Sequence, residues 1–253
     1  MKLELRSSGD HYELSAAVLV YTNSATRHAF ASKHVVAQHA GRARIEPGTP
    51  LTAQDYQALV QALGPRDRPA MLWCDPRVLA RGLGRLLWWC PPMQRSLFFR
   101  RSAQHPGSFE ARGRCGCPGL VFLAADRQLF VYAFKGAATP TRDTRLYQAP
   151  FFNVWTSGQV CVGNAALPQM DVDDPAAWER MFFQSHFTHP NFTEPDRLTV
   201  GIAPAQFWQT RLAQPDAPFP EPVLFELGLR VEALTQLDLR ARLAALPRAT
   251  REF

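Results

Sequence analysis

Residues 85–135 contain short runs of bulky apolar residues between prolines and polar turns, and this pattern constrains the fold more than any other part of the chain. Two such runs, residues 120–123 and 129–134, flank Ala125-Asp126-Arg127. Apolar runs of this length around a short polar turn are typical of a β-hairpin. Two earlier runs are separated by Cys90-Pro91-Pro92. The sequence therefore predicts an antiparallel meander over this region.

The part of the chain after Cys161 carries helix signals instead. Asp174 before Pro175 is typical of a helix start, because the Asp side chain caps free backbone amides and proline fits the first helical turn. Residues 205–212 predict another short helix. A third is predicted by four apolar residues at helical spacing, namely Leu224, Leu227, Val231 and Leu234. Strands followed by helices indicate an α+β fold.

The N-terminal part has signals of its own. Residues 14–21 predict a strand, and residues 33–36 predict a further one. Thr52 followed by Asp55 predicts the capped start of a helix, which Gly64-Pro65 ends.

These patterns divide the chain into two predicted parts. We expect residues 1–70 to form an N-terminal α/β extension and residues 71–253 to form the core with its C-terminal helices. One continuous domain is the alternative. Within the core, residues 78–83 predict a short helix, and residues 103–119, which are rich in Gly, Pro and Arg, predict a long loop.

The charge of the chain bears on its partners. A net charge of +6 permits an acidic partner but does not identify one. Only three of the 28 basic residues are lysines, and the longest basic run is Arg100-Arg101. Proteins that bind nucleic acid usually concentrate their positive charge in a patch or a tail. The scattered charge therefore disfavours a nucleic-acid partner.

The chain shows no targeting or metal-binding pattern. No long apolar segment follows a basic one at the start, and no run approaches eighteen uncharged apolar residues, so we expect neither a secretory signal nor a membrane span. The five cysteines are then expected to be reduced thiols in the cytoplasm. Cys115 and Cys117 have no second ligand pair at a recognised zinc spacing, so we predict no metal and no cofactor.

One nearly uncharged segment, residues 150–163, has a spacing that indicates chemistry. Asn153 precedes Cys161 by eight residues, Gly158 lies in the turn between them, and valines flank the cysteine on both sides. The alternative for Cys161 is a buried small residue in a strand, which is the usual place of a lone cysteine.

This segment resembles the active-site segment of ubiquitin-conjugating enzymes. Those enzymes have a His-Pro-Asn triplet, an apolar residue, an aromatic residue, a turn that ends in Gly, and a cysteine between apolar residues. The spacing here is the same, but Phe151-Phe152 replaces His-Pro. Three further segments extend the resemblance, namely residues 86–92, 118–122 and 185–191. Together with the segment around Cys161, they resemble the PRTRC system protein B family, a bacterial conjugating-enzyme-like family.

The resemblance implies a fold, a function and partners. The fold would be a ubiquitin-conjugating-enzyme-like core, with an antiparallel meander, an active-site loop and C-terminal helices. Cys161 would accept a small ubiquitin-like protein from a ThiF-type activating enzyme as a thioester and pass it to an amine. A JAB-type metallopeptidase is a further partner that the family implies.

The resemblance also implies roles for other residues. Asn153 would stabilise the oxyanion that forms during transfer, and its alternative role is to hold the loop by backbone hydrogen bonds. A polar group after the next helix would hold or deprotonate the amine. The candidates for that group are His189, Asn191, Glu194 and Asp196. The triplet His189-Pro190-Asn191 repeats the motif's letters, but no Gly-x-Val-Cys follows it.

Two other functions compete with the carrier. The first is a non-catalytic scaffold of the same fold that binds the ubiquitin-like protein without being charged, since Phe151-Phe152 removes the usual His. The second is a basic DNA-associated accessory protein of a plasmid system, which would show a steep salt dependence of DNA affinity.

Overall fold

The computed structural model describes twelve stretches of the chain: 6–7, 10–11, 14–26, 28–40, 42–63, 73–82, 84–105, 107–125, 127–163, 167–168, 174–191 and 195–236. The chain divides into two compact units, Met1–Leu72 and Trp73–Phe253.

Among its described residues, the first unit contains two antiparallel sheets and one helix. Its elements are β1 (Arg6–Ser7), β2 (Asp10–His11), β3 (Ala16–Thr22), β4 (Ala29–His39), β5 (Arg42–Pro50) and α1 (Ala53–Leu63). Strand β1 pairs with β2, and β4 lies between β3 and β5. The predicted cap of α1 is confirmed, since the Asp55 backbone N–H donates to Thr52 Oγ1 at 3.2 Å and the Thr52 N–H donates to Asp55 Oδ2 at 3.1 Å.

The described part of the second unit contains two sheets and three α-helices. Its strands are β6 (Val78–Gly82), β7 (Arg85–Cys90), β8 (Met93–Phe99), β9 (Ala111–Cys117), β10 (Gly119–Ala125), β11 (Gln128–Phe134), β12 (Arg145–Gln148), β13 (His186–Phe187) and β14 (Glu226–Arg230). Its helices are α2 (Pro175–Gln184), α3 (Pro195–Leu198) and α4 (Pro204–Ala213), and its 3₁₀ turns are Glu221–Val223 and Val231–Thr235. The predicted α+β class and the antiparallel meander are confirmed. None of the described helices is long and apolar enough to cross a membrane.

The main sheet has six antiparallel strands in the order β14-β12-β11-β10-β7-β6. A second sheet has the order β13-β8-β9, and β13 runs parallel to β8. The β7–β10 ladder ends at the Cys90–Leu120 pair, and the β8–β9 ladder begins at the Met93–Cys117 pair. Prolines lie between the two ladders on both strands, and the ladder breaks there because proline has no N–H to donate.

Both faces of the main sheet are buried, because successive side chains of a strand point to opposite faces. One face carries Trp88, Phe122 and Val131 and packs against apolar residues of α2, α4 and the segment around Phe151. The other face carries Leu123 and is covered by three residues near the end of the described chain, Leu227, Val231 and Leu234.

Three expectations about local structure are wrong. The helix predicted over residues 78–83 is absent from the described residues, because Val78–Gly82 pairs with β7 as the edge strand β6. The predicted loop over residues 103–119 contains β9, whose glycines permit close packing: a Cβ at Gly116 would lie 2.8 Å from the Ala217 carbonyl oxygen.

The third error concerns the helix predicted from four residues at helical spacing. Leu224 belongs to the core on one face of the main sheet, and Leu227, Val231 and Leu234 belong to the other. The chain crosses between the faces as strand β14, which pairs with β12 and contains Gly228 at a φ of +67°. The apolar spacing therefore reports burial in two separate layers and not one helix face.

Candidate active site

Cys161 directly follows a short β-hairpin. Val154 and Val160 form an antiparallel bridge, the Trp155 N–H donates to the Gln159 carbonyl at 2.8 Å, and the Cys161 N–H donates to the Asn153 carbonyl at 2.7 Å. The hairpin register therefore makes Asn153 and Cys161 cross-strand neighbours, which in such a pair have Cα atoms about 5.5 Å apart.

The turn of this hairpin requires glycine. Gly158 has a φ of +82°, a conformation that side chains disfavour. A Cβ at this position would lie 2.4 Å from the ring of Tyr132, whose hydroxyl donates to the Ser157 carbonyl at 2.7 Å. The buried Tyr132 thus contacts the turn at Gly158 and binds its backbone at Ser157.

The hairpin is attached to the main sheet beside β11. The Val131 N–H donates to the Gly158 carbonyl and the Val160 N–H donates to the Leu129 carbonyl, both at 2.8 Å. Val154 and Val160 are buried, whereas Cys161 is exposed. The sheet therefore fixes the backbone up to the cysteine and leaves the thiol at the surface.

Phe151 and Phe152, which replace the expected His-Pro, are core residues with no exposed surface. Phe151 stacks on Trp208 at 5.3 Å and meets Phe182 edge-on at 5.2 Å, between ring centroids. Phe152 meets Phe99 edge-on at 5.5 Å. The sequence just before Asn153 is thus held by aromatic packing.

Asn153 is 8% exposed, and its amide is turned towards the end of α2. Its Nδ2 donates to Ser185 Oγ at 3.1 Å. Its Oδ1 is buried and has no hydrogen-bond partner among the described residues. A buried amide oxygen without a partner is uncommon in proteins, and a catalytic role or an ordered water is among the explanations for such an atom.

The second triplet lies beside the first. The Asn191 N–H donates to the Phe152 carbonyl at 3.1 Å, and Asn191 Nδ2 is buried without a partner in the described part of the chain. The His189 ring stacks on His105 with centroids 3.6 Å apart. Burial and the neighbouring His105 lower the pKa of His189. The structure thus brings Asn191 to the segment that carries Asn153, and His189 lies two residues earlier in the same triplet.

The structure gives less information on the positions of the other two candidates for the supporting group, Glu194 and Asp196. Glu194 lies outside the described residues. Asp196 lies in α3.

The other cysteines differ in their surroundings. Cys74 is exposed, and Cys90, Cys115 and Cys117 are buried. Burial raises the pKa of the Cys90 thiol to about 12. A hydrogen bond with Cys115 and burial raise the pKa of Cys117 well above its ordinary value. The raised pKa values keep the Cys90 and Cys117 thiols protonated and unreactive, whereas the hydrogen bond with Cys117 lowers the pKa of Cys115. No group of three or more metal-ligating side chains occurs in the part of the chain that the structure describes.

Helix α2, whose C-terminal end meets Asn153, is tied to its surroundings by a buried carboxylate. Glu179 Oε1 accepts from Arg77 Nη1 at 2.5 Å, and Glu179 Oε2 accepts from Arg95 Nη2 at 3.0 Å. Paired charges of this kind fix the geometry of packed elements, whatever their net effect on stability. At least two of the scattered arginines therefore have a structural role.

Ser185 was not identified from the sequence. It is the residue after α2, and its hydroxyl donates to the Phe182 carbonyl at 2.6 Å while accepting from Asn153. Nothing in the sequence around this serine relates it to an asparagine 32 residues earlier.

Comparison with known proteins assigns the chain to a family. No significant match occurs among curated proteins or among solved structures. A model of prokaryotic E2 family D matches residues 55–227, which is more than half of the chain and includes the hairpin, Cys161 and α2. E2 denotes the conjugating enzymes, so the match agrees with the resemblance seen in the segment around Cys161. The chain therefore belongs to prokaryotic E2 family D.

Proposed function

We propose that the protein is a ubiquitin-conjugating-like carrier, which accepts a ubiquitin-like protein from a ThiF-type activating enzyme as a thioester on Cys161 and passes it to an amine. One observation carries the proposal: a hairpin pairs the exposed Cys161 with Asn153 by a 2.7 Å backbone hydrogen bond, in a member of an E2 family. An exposed thiol supplies the nucleophile that acyl transfer needs, and a side-chain amide on the paired strand is a type of donor that can stabilise an oxyanion.

The first step is a thioester exchange. The Cys161 thiolate attacks the carbonyl carbon of the activated ubiquitin-like protein, a new C–S bond forms, and the thiolate of the activating enzyme leaves with the electron pair of the old bond. Exchange between thioesters is nearly balanced in free energy, so the thiol needs exposure more than activation. The exposed position of Cys161 meets that requirement.

The second step transfers the acyl group to nitrogen. The amine attacks the thioester carbon, the carbonyl oxygen becomes an oxyanion, and the C–S bond then breaks as the amide forms. The proton lost by the nitrogen ends on Cys161 Sγ, which restores the thiol. Asn153 is proposed to stabilise the oxyanion, since a preorganised amide donor acts where negative charge develops.

The second triplet is proposed to support this step. Asn191 is fixed to Phe152 through its backbone, and its buried amide nitrogen lacks a partner among the described residues. His189, whose lowered pKa favours the neutral ring, can accept a proton from an incoming amine near neutral pH. Glu194 and Asp196 remain proposed alternatives for the same role.

The finer family assignment, PRTRC system protein B, belongs to this proposal. It would pair the carrier with a small ubiquitin-like protein, a ThiF-type activating enzyme and a JAB-type metallopeptidase that reverses or processes the conjugation. The proposed place of action is the cytoplasm of a bacterium, where ATP is present and thiols remain reduced.

A non-catalytic scaffold is the second candidate, and one observation favours it. Asn153 is 8% exposed, and its nitrogen already bonds to Ser185 Oγ. An amide that is buried and whose nitrogen donates to another side chain of the protein suits a structural role, in which it holds the loop. Such a protein would bind the ubiquitin-like partner and never form a thioester.

A charging assay separates the two functions. The protein is incubated with the activating enzyme, the ubiquitin-like protein and ATP, and adducts are resolved with and without reducing agent. We expect an adduct that reducing agent removes, that Cys161→Ala abolishes, and that Cys161→Ser converts to a more stable ester. Cys74→Ala, which alters the other exposed cysteine, is the matched control and should charge normally. Binding without any adduct would establish the scaffold instead.

A further inference from the structure

We propose that Ser185 is a positioning residue that sets the orientation of the Asn153 amide for acyl transfer. The inference rests on the proposed function, because it concerns how the amide beside Cys161 is prepared for the second step. Three hydrogen-bonding groups carry it: the Phe182 carbonyl, the Ser185 hydroxyl and the Asn153 side chain.

The polarity of these hydrogen bonds determines which end of the amide faces the serine. Ser185 Oγ lies 2.6 Å from the Phe182 carbonyl oxygen, which can only accept, so the single hydroxyl hydrogen is committed there. The same oxygen can then only accept from its other neighbour. Asn153 must therefore present its nitrogen, which lies at 3.1 Å. A flipped amide would place two acceptors against each other.

The serine itself is held rigidly. It ends α2, and its backbone N–H donates to the Phe182 carbonyl at 3.3 Å. Glu179 ties the helix to Arg77 and Arg95, and the Phe182 ring packs edge-on against Phe151, two residues before Asn153. The donor and the acceptor of the 3.1 Å bond are thus fixed by the same packed elements.

This orientation has a consequence for the reaction. An amide nitrogen carries two hydrogens, and the bond to Ser185 uses one of them. The second is the donor that remains for the oxyanion while the amine attacks the Cys161 thioester. Without the serine, the amide can rotate and turn its acceptor oxygen towards the developing negative charge, which would oppose the step.

The test measures discharge without depending on natural partners. The full chain carrying Cys74→Ala is loaded by exchange with a short synthetic peptide that is activated as a C-terminal alkyl thioester. Loss of the acyl group from Cys161 to free lysine is followed by intact mass. We expect Asn153→Ala to slow discharge about 100-fold, as loss of one oxyanion donor does. Ser185→Ala should slow it about 10-fold through misorientation alone, and Ser185→Thr, which keeps the hydroxyl, should restore it.

A double variant distinguishes positioning from an independent effect. Ser185→Ala should have no further effect on discharge in the Asn153→Ala protein, because there is no amide left to orient. The inference is overturned if Ser185→Ala leaves discharge unchanged, if its effect multiplies that of Asn153→Ala, or if Asn153→Ala itself is neutral. Thermal unfolding of each variant shows that the comparison is made on folded protein. If discharge behaves as expected but enzymatic charging of Cys161 fails, the proposed function is lost and the role of Ser185 stands.

Discussion

The segments Phe151-Phe152-Asn153 and His189-Pro190-Asn191 lie side by side, joined by the bond from the Asn191 N–H to the Phe152 carbonyl. They differ in what surrounds them. The two phenylalanines are fully buried among aromatic residues, whereas His189 and Pro190 are partly exposed. A hairpin that ends at Cys161 follows the first triplet only. The second triplet thus has the His-Pro-Asn sequence but no cysteine after it. The first triplet is followed by Cys161 but has Phe-Phe in place of His-Pro.

This difference shows which part of the motif the hairpin depends on. The sheet contacts of Gly158 and Val160 place the cysteine, and aromatic packing holds the residues before Asn153. Neither contact requires a His-Pro pair. Each substitution below alters one triplet or the hairpin that follows the first, and each has a matched control.

The largest effect is expected at Phe151. Phe151→Ala should lower the free energy of unfolding by about 3–5 kcal/mol, because it removes a fully buried ring between Trp208 and Phe182. Phe151→His, which restores the first letter of the motif, should also destabilise the protein, since its ring nitrogens would enter an apolar site. Urea unfolding measures both, with Pro190→Ala as the control. Normal stability of Phe151→His would show that the aromatic anchor is dispensable.

The next effect distinguishes Asn153 from Asn191 by the rate of thioester discharge. Asn153→Ala should slow thioester discharge about 100-fold, or about 2.7 kcal/mol of barrier, if its amide stabilises the oxyanion. Asn191→Ala should slow it by less than about 10-fold, as expected for a supporting group. Single-turnover discharge to lysine measures both. Equal effects would assign the oxyanion site to the two amides together.

A smaller effect is expected in the turn that only the first triplet has. Gly158→Ala should cost about 1–3 kcal/mol of stability, because alanine disfavours the φ of +82° and its Cβ meets the Tyr132 ring. Thermal unfolding measures the loss, and Gly136→Ala is the matched control. Gly136 also has a positive φ, but a Cβ added there would meet open space, with nothing within 4 Å. Equal losses in the two variants would mean that backbone strain alone is responsible and that Tyr132 does not hold the turn.

The smallest effect concerns the pH dependence of the second triplet. The pKa of His189 is lowered by burial and by His105, so below the ordinary value of 6.5 the unfolded chain binds a proton that the folded protein resists. Stability should therefore decrease as the pH falls from about 7 to about 5. His189→Gln should flatten this decrease in urea unfolding, while the exposed His186→Gln should not. An unchanged slope in His189→Gln would contradict the assignment.

Local sequence signals were sufficient for several elements. The hairpin of β10 and β11 follows from two apolar runs around a polar turn, and the cap of α2 follows from Asp174-Pro175. Strand β9 could not be predicted in this way, because its Gly- and Arg-rich sequence resembles a loop. It is a strand because β8 pairs with it and because Gly116 allows the backbone near Ala217 to approach.

The sequence by itself determined the α+β class, the meander and the segment in which Asn153 precedes Cys161 by eight residues. Those features rest on patterns within a few residues, which local conformation and burial impose directly. Only the tertiary structure decided that Phe151-Phe152 is an aromatic anchor, that the second triplet lies against the first, and that Ser185 faces Asn153. Each of these depends on contacts between residues more than thirty positions apart, and the packing of α2 and α4 on the sheet creates those contacts.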